Sequence, residues 1–312
     1  MNRARWSERF KLLAKQLLRS RHLSDAVRTV AAFRGRSLVL VYHRVVASEP
    51  PPLGIVPSVP SSLFRQQLEA LQEMGEIVPL GTLVRYGDRR ARPMFALTFD
   101  DDFVTHLDLA LPILQAFDVP ATFFLSGRAL HGLGSYWFER LERLIADRGV
   151  RDVGRLLDMP GAELDDVIDA CERDPTLQRV VETEAAGDSA GLLRRRDLEA
   201  LSAAGMTVGF HTVHHQTLTR LGNFELDAAL TVGRRELEDV VGRPLVQFAY
   251  PHGKADARTA AGVRDAGFEA GWTGRPQAIT RREDPYLLGR WEPGAIEIDE
   301  FVVGTAIRLS AR

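Results

Sequence analysis

Residues 94–125 read MFALTFDDDFVTHLDLALPILQAFDVPATFFL. Met94 to Phe99 is a short, almost wholly apolar run, the pattern of a strand buried on both faces, and Ala121 to Leu125 is another. The stretch between them, Leu107 to Phe117, has helical spacing. Strand, helix and strand in this order make a βαβ unit, whose strands lie parallel.

The alternation extends in both directions. Upstream, Leu38 to Tyr42 reads as a buried strand ending at His43, and Pro50-Pro51-Pro52 then imposes a loop. A helix is predicted from Ser61 to Met74, with Ser61 or Ser62 as N-cap and Gly75 as its stop. Downstream, Tyr136 to Leu201 changes to helices separated by acidic turns, with no convincing strand, and reads as a helical insertion over residues 136–201. Strand Thr207 to Phe210, helix Leu226 to Val241, strand Val246 to Tyr250, helix Arg258 to Ala266, strand Ala270 to Thr273 and a short strand near Leu287 to Arg290 complete the series. Strands alternating with helices throughout predict an α/β fold, a distorted (β/α) barrel of about seven strands over residues 37–312.

Composition is compatible with this. The chain has 312 residues, 45% hydrophobic and 26% charged, the balance of a soluble globular protein. One cysteine, Cys171, excludes an intramolecular disulfide and a cysteine-ligated zinc, so a metal would have to be held by His and carboxylates. The net charge of −2 conceals an asymmetry, because residues 1–36 carry ten basic residues against Glu8 and Asp25. There Trp6, Phe10, Leu13 and Leu17 share one helical face, with Arg5, Arg9, Lys11, Lys15 and Arg19 on the others. Such a basic amphipathic helix suits either peripheral contact with an anionic membrane surface or packing on the domain with its basic face in solvent. Charged residues interrupt its apolar positions, unlike a secretory signal. The expected location is therefore cytoplasmic, including the inner membrane face. Nucleic acid is not an expected partner, since the main body is acidic and lacks a basic and aromatic platform.

Polar clusters fall where these strands end, the face on which α/β barrels carry their active sites. They are Tyr42-His43, Thr98-Phe99-Asp100-Asp101, His211-Thr212-Val213-His214-His215 and Tyr250-Pro251-His252-Gly253. Successive strand residues face opposite ways, so Asp100 and Asp101 reach one site only if the alternation breaks at the strand end. An Asp pair in that position is otherwise a turn or a helix cap. His211 and His215 can converge on one ion and, with a carboxylate, make a two-His, one-carboxylate site with open positions for water and substrate. A pair of surface histidines is the plainer alternative.

Together, Thr98-Phe99-Asp100-Asp101, His211-Thr212-x-x-His215 and Phe248-Ala249-Tyr250-Pro251-x-Gly253 resemble the polysaccharide deacetylases of carbohydrate esterase family 4, homologous to the nodulation chitooligosaccharide deacetylases. The resemblance spans roughly Leu38 to Trp291. It implies that Asp100 is the general base and that Asp101, His211 and His215 bind one divalent metal ion, with zinc expected. Such an ion lowers the pKa of bound water and polarises a carbonyl, while the free carboxylate accepts the water's proton. An N-acetylated glycan is the implied substrate, and Tyr250, Pro251 and His252 are expected to contact it, with a backbone N–H of that stretch as a candidate oxyanion donor.

Three departures from the family pattern matter. Asp102 replaces the usual Gly after T-F-D-D, which restricts the turn and adds charge beside the metal. Phe-Ala-Tyr-Pro replaces the arginine motif, and no His follows His252, so the customary acid is missing from its place. Members resembling poly-N-acetylglucosamine deacetylases draw that His from a tyrosine-histidine pair on the first strand. This implies His43 as the acid, with His252 competing. Arg290 is placed to keep Asp100 ionised, as an arginine does in the family. His106 would line the entrance or meet solvent, and Trp137 and Trp291 would stack on a sugar or belong to the core. The leading expectation is removal of acetyl groups from N-acetylhexosamine units of a polysaccharide or lipid-linked saccharide. An O-acetyl esterase, a non-sugar amidase and a catalytically lapsed glycan-binding barrel are the alternatives.

Overall fold

The computed structural model describes residues 36–51, 53–86, 92–185, 191–280 and 283–310. The basic segment read at 1–36 lies outside them, apart from Arg36. No described helix is long and apolar enough to cross a membrane.

The first strand, β1 (Ser37–Tyr42), is buried at every residue and pairs in parallel with β5 (Met94–Asp100), also buried throughout. Burial on both faces explains why these strands read as unbroken apolar runs. Between them lie β2 (Arg44–Val46), β3 (Ser58–Pro60), α1 (Ser61–Met74), β4 (Glu76–Ile77) and α2 (Leu80–Tyr86). Helix α1 buries Phe64, Gln67, Leu68, Leu71 and Met74 on one stripe. Its N-cap is Pro60, so neither Ser61 nor Ser62 caps it.

After β5, a π-turn at His106–Ala110 leads into α3 (Leu111–Ala116) and then β6 (Ala121–Leu125). Helices α4 (Trp137–Arg148), α5 (Val150–Leu156), α6 (Leu164–Arg173) and α7 (Pro175–Glu184) follow, with a hydrophobic cluster of their own around Leu141, Ile145, Val153, Val167, Cys171 and Val181. Helix α8 (Arg195–Ala203) instead packs on β7 (Thr207–Phe210) and takes its place in the outer helical layer, so the added helices are α4 to α7. The single helix expected over Leu226 to Val241 is two, α9 (Asn223–Thr231) and α10 (Arg234–Val241). They are broken at Gly233, whose φ of 79° no helix contains. Then come β8 (Gln247–Ala249), α11 (Ala257–Asp265), β9 (Ala270–Trp272) and α12 (Ile298–Ser310).

Among the described residues the strands of the main sheet pair in parallel, in the order β1-β5-β6-β7-β8-β9, with β4 beside the start of β5. The stretch expected as a last strand makes two parallel bridges, Leu288 to Trp272 and Trp291 to Leu40. Residues 288–291 therefore lie between β9 and β1 and close the distorted (β/α) barrel. The polar clusters all follow the carboxyl ends of barrel strands.

Strand β7, which delivers His211, is tightly held. A Cβ at Gly209 would lie 2.5 Å from the Phe124 ring of β6 and 3.0 Å from the Gln247 carbonyl of β8. Gly209→Ala is therefore expected to cost about 1–3 kcal/mol, the usual range for overpacking. Urea unfolding followed by circular dichroism measures this, and an unchanged midpoint would show that the sheet yields there.

Candidate active site

Asp100 is the last residue of β5, and its carboxylate accepts two hydrogen bonds from Arg290, each 2.6 Å, from Nη1 to Oδ1 and from Nη2 to Oδ2. Arg290 is itself 2% exposed and also donates to Thr98 Oγ1 and the Thr273 carbonyl. Burial alone would raise the Asp100 pKa, but the guanidinium overrides this and holds it at about 2.

The next residue turns the other way. Asp101 has φ 72°, a left-handed conformation that Asp tolerates better than most residues, and this breaks the strand's alternation. Its carboxylate enters the same site but meets different partners. Asp101 Oδ1 lies 3.3 Å from His215 Nε2 and 3.8 Å from His211 Nε2. His211 directly follows β7, and its Nδ1 donates to the Ala249 carbonyl at 2.8 Å, which leaves the Nε2 lone pair facing Asp101. Thr212 and His215 both have positive φ (59° and 51°), so a tight loop rather than a turn of helix brings the second imidazole back to the first.

The donor set suits a metal ion. Ligand atoms of Asp101, His211 and His215 all lie within 4.8 Å of one another, and all three residues are buried. The separations of 3.3 and 3.8 Å are within reach of one ion at about 2.1 Å from each ligand. Asp101 Oδ1 is buried without a hydrogen-bond donor. Burial, with Asp100 and Asp102 adding to it, pushes the Asp101 carboxyl well up, the signature of a carboxylate short of positive charge. Burial also lowers His211 to about 4 and His215 well below the ordinary value, giving the neutral form that binds metals. The rings of Tyr136, Phe138 and His252 pack around His215 with centroids 4.6–5.4 Å from its own.

These groups line a cavity of about 310 Å³, together with His43, His252, Arg290 and Glu292. Half-buried His43 follows β1, and its Nδ1 is 2.7 Å from Glu292 Oε1 in an ion-pair contact out of line with the ring N–H. Burial lowers its pKa, but Glu292 more than compensates and raises it to about 9. His252 lies in the same cavity at about 4, lowered by burial, and is neutral at pH 7. The two acid candidates are thus in opposite protonation states.

Several expectations need correction. Tyr250 is fully buried, its hydroxyl donates to the Tyr286 carbonyl and its ring packs on Phe248, so it does not reach the cavity. Pro251 is buried as well and does not line the cavity, so of the three expected substrate contacts only His252 faces it. The Tyr250 N–H bonds to the Trp272 carbonyl and Pro251 has none, which removes both as oxyanion donors. His106 neither lines the entrance nor meets solvent. It is fully buried and its Nε2 donates to the His43 carbonyl at 2.7 Å, fixing the backbone there. Trp291 stacks on Phe301 in the core, whereas Trp137 does line the cavity. Asp102 does not project bare charge at the metal group. Its carboxylate accepts from the backbone N–H groups of Ser126, Gly127 and Arg128 at 2.8, 3.3 and 2.8 Å.

Sequence reasoning missed Glu292, although it adjoins Trp291, and missed the cavity residues Ile55, Phe138, Ile168 and Glu172. A lone Glu after a tryptophan carries no pattern, and the others read as ordinary loop or helix residues.

The profile of the polysaccharide deacetylase family matches residues 87–271, more than half of the chain. Among curated proteins no sequence relative was found. Solved structures share the fold. A Streptococcus pyogenes deacetylase, PplD, in complex with acetate aligns with a TM-score of 0.61 at 17% identity, over 86% of this chain and 97% of that one. IcaB from Ammonifex degensii aligns with 0.59 at 19%, over 88% and 98%. A de-N-acetylase from Aggregatibacter actinomycetemcomitans aligns with 0.54 at 15%, over 85% and 99%.

The Asp102 cradle has a measurable consequence. Asp102→Ala would leave three buried N–H groups without their acceptor, each worth about 1–3 kcal/mol. A stability loss of about 3 kcal/mol or more is expected in urea unfolding. A loss below about 1 kcal/mol would mean that water replaces the carboxylate.

Proposed function

The chain belongs to the polysaccharide deacetylase family, and we propose that it hydrolyses the N-acetyl group of N-acetylhexosamine units, in a polysaccharide or lipid-linked saccharide, with one divalent metal ion, zinc, as cofactor. The observation that carries this reading is the divergence of two adjacent carboxylates, Asp100 locked on Arg290 and Asp101 joined to His211 and His215.

Asp101, His211 and His215 would hold the ion, which when bound supplies a Lewis acid for the acetyl carbonyl and lowers the pKa of its bound water to about 7. Asp100 accepts the proton of the attacking water. Its low pKa makes it a weak base, so it serves best when the water is already acidified. Arg290 keeps it ionised and fixes its two oxygens.

His43 supplies the proton for the departing amine. Support comes from its place in the cavity and from Glu292, which favours the imidazolium. His252, neutral and packed edge-on against His215, lacks that proton. A standing acid favours amide over ester hydrolysis, because an amine must be protonated to leave whereas an activated alkoxide need not be. The lapsed-barrel reading loses the support of Asp102, whose charge is engaged by backbone N–H groups.

Two outcomes test these assignments. Protein loaded with zinc should hold about one equivalent, as a three-ligand site implies, and the His211→Ala, His215→Ala double variant should lose it. Asp100→Asn should keep the metal yet lose acetate release by about 10²-fold or more. Elemental analysis beside an acetate assay separates these, and loss of metal from Asp100→Asn would make Asp100 a ligand.

A third outcome concerns pH. His43 must be protonated to act, so activity should fall on the alkaline side as its raised pKa is passed. Glu292→Gln removes the stabilising negative charge, lowers that pKa towards about 6.5, and should move the alkaline limb of the kcat profile to lower pH. The acid limb should stay in place. An unmoved alkaline limb would remove His43 from the acid role.

A further inference from the structure

Among the buried polar groups that the proposed chemistry leaves unused, His106 has the least polar surroundings. It is fully buried and opens the π-turn after β5, and its ring is enclosed by those of Phe99, Phe103 and Phe123, with centroids 5.5, 5.9 and 5.3 Å away. Such a cage suits a leucine or a phenylalanine. An imidazole is costly there, since its Nδ1 is buried without a hydrogen-bond partner. Burial holds its pKa at about 4, so at pH 7 it is neutral and does not repel a protonated His43.

The one hydrogen bond its ring makes among the described residues runs from Nε2 to the His43 carbonyl, at 2.7 Å. That bond goes to the backbone of the proposed acid. His43 lies in neither strand, between Tyr42 at the end of β1 and Arg44 at the start of β2. Its neighbours are tied elsewhere: the Tyr42 hydroxyl donates to Gln67 Oε1 at 3.0 Å, and Arg44 donates to Ser58 and pairs with Glu142. The segment carrying Glu292 is held as well, because Trp291 bridges to Leu40 and Gln67 Nε2 donates to the Gly294 carbonyl at 3.1 Å. His43 Nδ1 meets Glu292 at 2.7 Å, which leaves Nε2 for the leaving amine. A small rotation of the residue would loosen that pair and turn the proton out of line.

We infer that His106 is the positioning residue of the acid: by fixing the His43 carbonyl it keeps the imidazolium on Glu292 and aimed at the departing nitrogen. This inference rests on the deacetylase reading above, with His43 as its acid. His106 does not line the cavity, so it acts through His43 and not on the substrate. Its effect is confined to the step that delivers a proton. The π-turn fits this role, because turns of this kind are rare and frequent at functional sites.

The test uses the full chain loaded with zinc and two substrates, an N-acetylglucosamine pentamer and 4-nitrophenyl acetate, whose leaving group departs without a proton. With folding checked by circular dichroism and zinc content, His106→Leu should lower kcat on the amide by about tenfold or more, while KM and the ester rate stay within about twofold. His106→Gln carries an N–H the same number of bonds from Cα and should restore most of the amide rate. In a His43→Ala background, His106→Leu should have no further effect, because the two residues act as one unit. Equal losses on amide and ester, or an undiminished amide rate, would make His106 a core residue only and overturn the inference. Should His106→Leu not fold, His106→Asn, whose amide stops short of the carbonyl, takes its place with the same expectations. If the wild-type protein releases no acetate from the pentamer, the deacetylase reading falls, and NMR titration of the His43 ring then decides the positioning role. His106→Leu should lower the His43 pKa by about 1 or more by loosening it from Glu292, and an unchanged titration would overturn that role.

Discussion

The buried ion pair between Arg290 and Asp100 is the constraint around which the barrel is arranged. Each charge would be costly in the interior alone, and removing one partner of such a pair costs about 3–5 kcal/mol. The pair forms only if residues 288–291 lie between β9 and β1 in the observed register, because Arg290 then reaches across to Asp100 and Thr98 of β5 while bonding the Thr273 carbonyl beyond β9. Closing the barrel and completing the candidate site are thus one event. A slip of one residue in the closing segment would turn the guanidinium out and leave Asp100 buried without its partner.

The adjacent carboxylates show how one backbone angle separates two chemistries. Asp100 keeps the strand's geometry and faces a fixed cation. Asp101, in the left-handed region, faces two neutral imidazoles. Their pKa values move apart for that reason, Asp100 downward and Asp101 upward, and environments that divide a pair of acids in this way assign them different roles. A left-handed residue other than glycine costs on the order of 1–3 kcal/mol. Asp101, Thr212, His215 and His252 carry such angles at the site, where side chains must be aimed against the local alternation, and Asp118 and Asp158 carry them elsewhere.

What was legible in the sequence follows from this. Strands β1, β5, β6 and β7 are largely apolar on both faces, and β1, β5 and β7 end in polar clusters, so the strands and the ligand candidates could be read directly. The error over Tyr250 has the same origin: proximity to a strand end was taken as access to the site, but its hydroxyl reaches the Tyr286 carbonyl within the fold. Helix α12 was missed because it is buried on nearly every side, from Phe301 to Leu309, and so shows no apolar stripe. The break at Gly233 was hidden by apolar spacing that runs through both α9 and α10. Glu292 had no sequence signal, since its role exists only once the closing segment brings it to His43.

Asp102 joins these strands of argument. From the sequence it was an extra charge that counted against catalysis. In the structure its side chain caps the turn after β6, its N–H meets Tyr136 and its carbonyl meets Leu193, so one residue connects β5, the exit of β6 and both roots of the insertion. Glycine could supply the backbone N–H and carbonyl but not the carboxylate that gathers three N–H groups at the turn. The carboxylate therefore belongs with the turn after β6, and the backbone N–H and carbonyl with the insertion. The mounting of the insertion and the placement of the metal group thus depend on adjacent residues, Asp102 and Asp101.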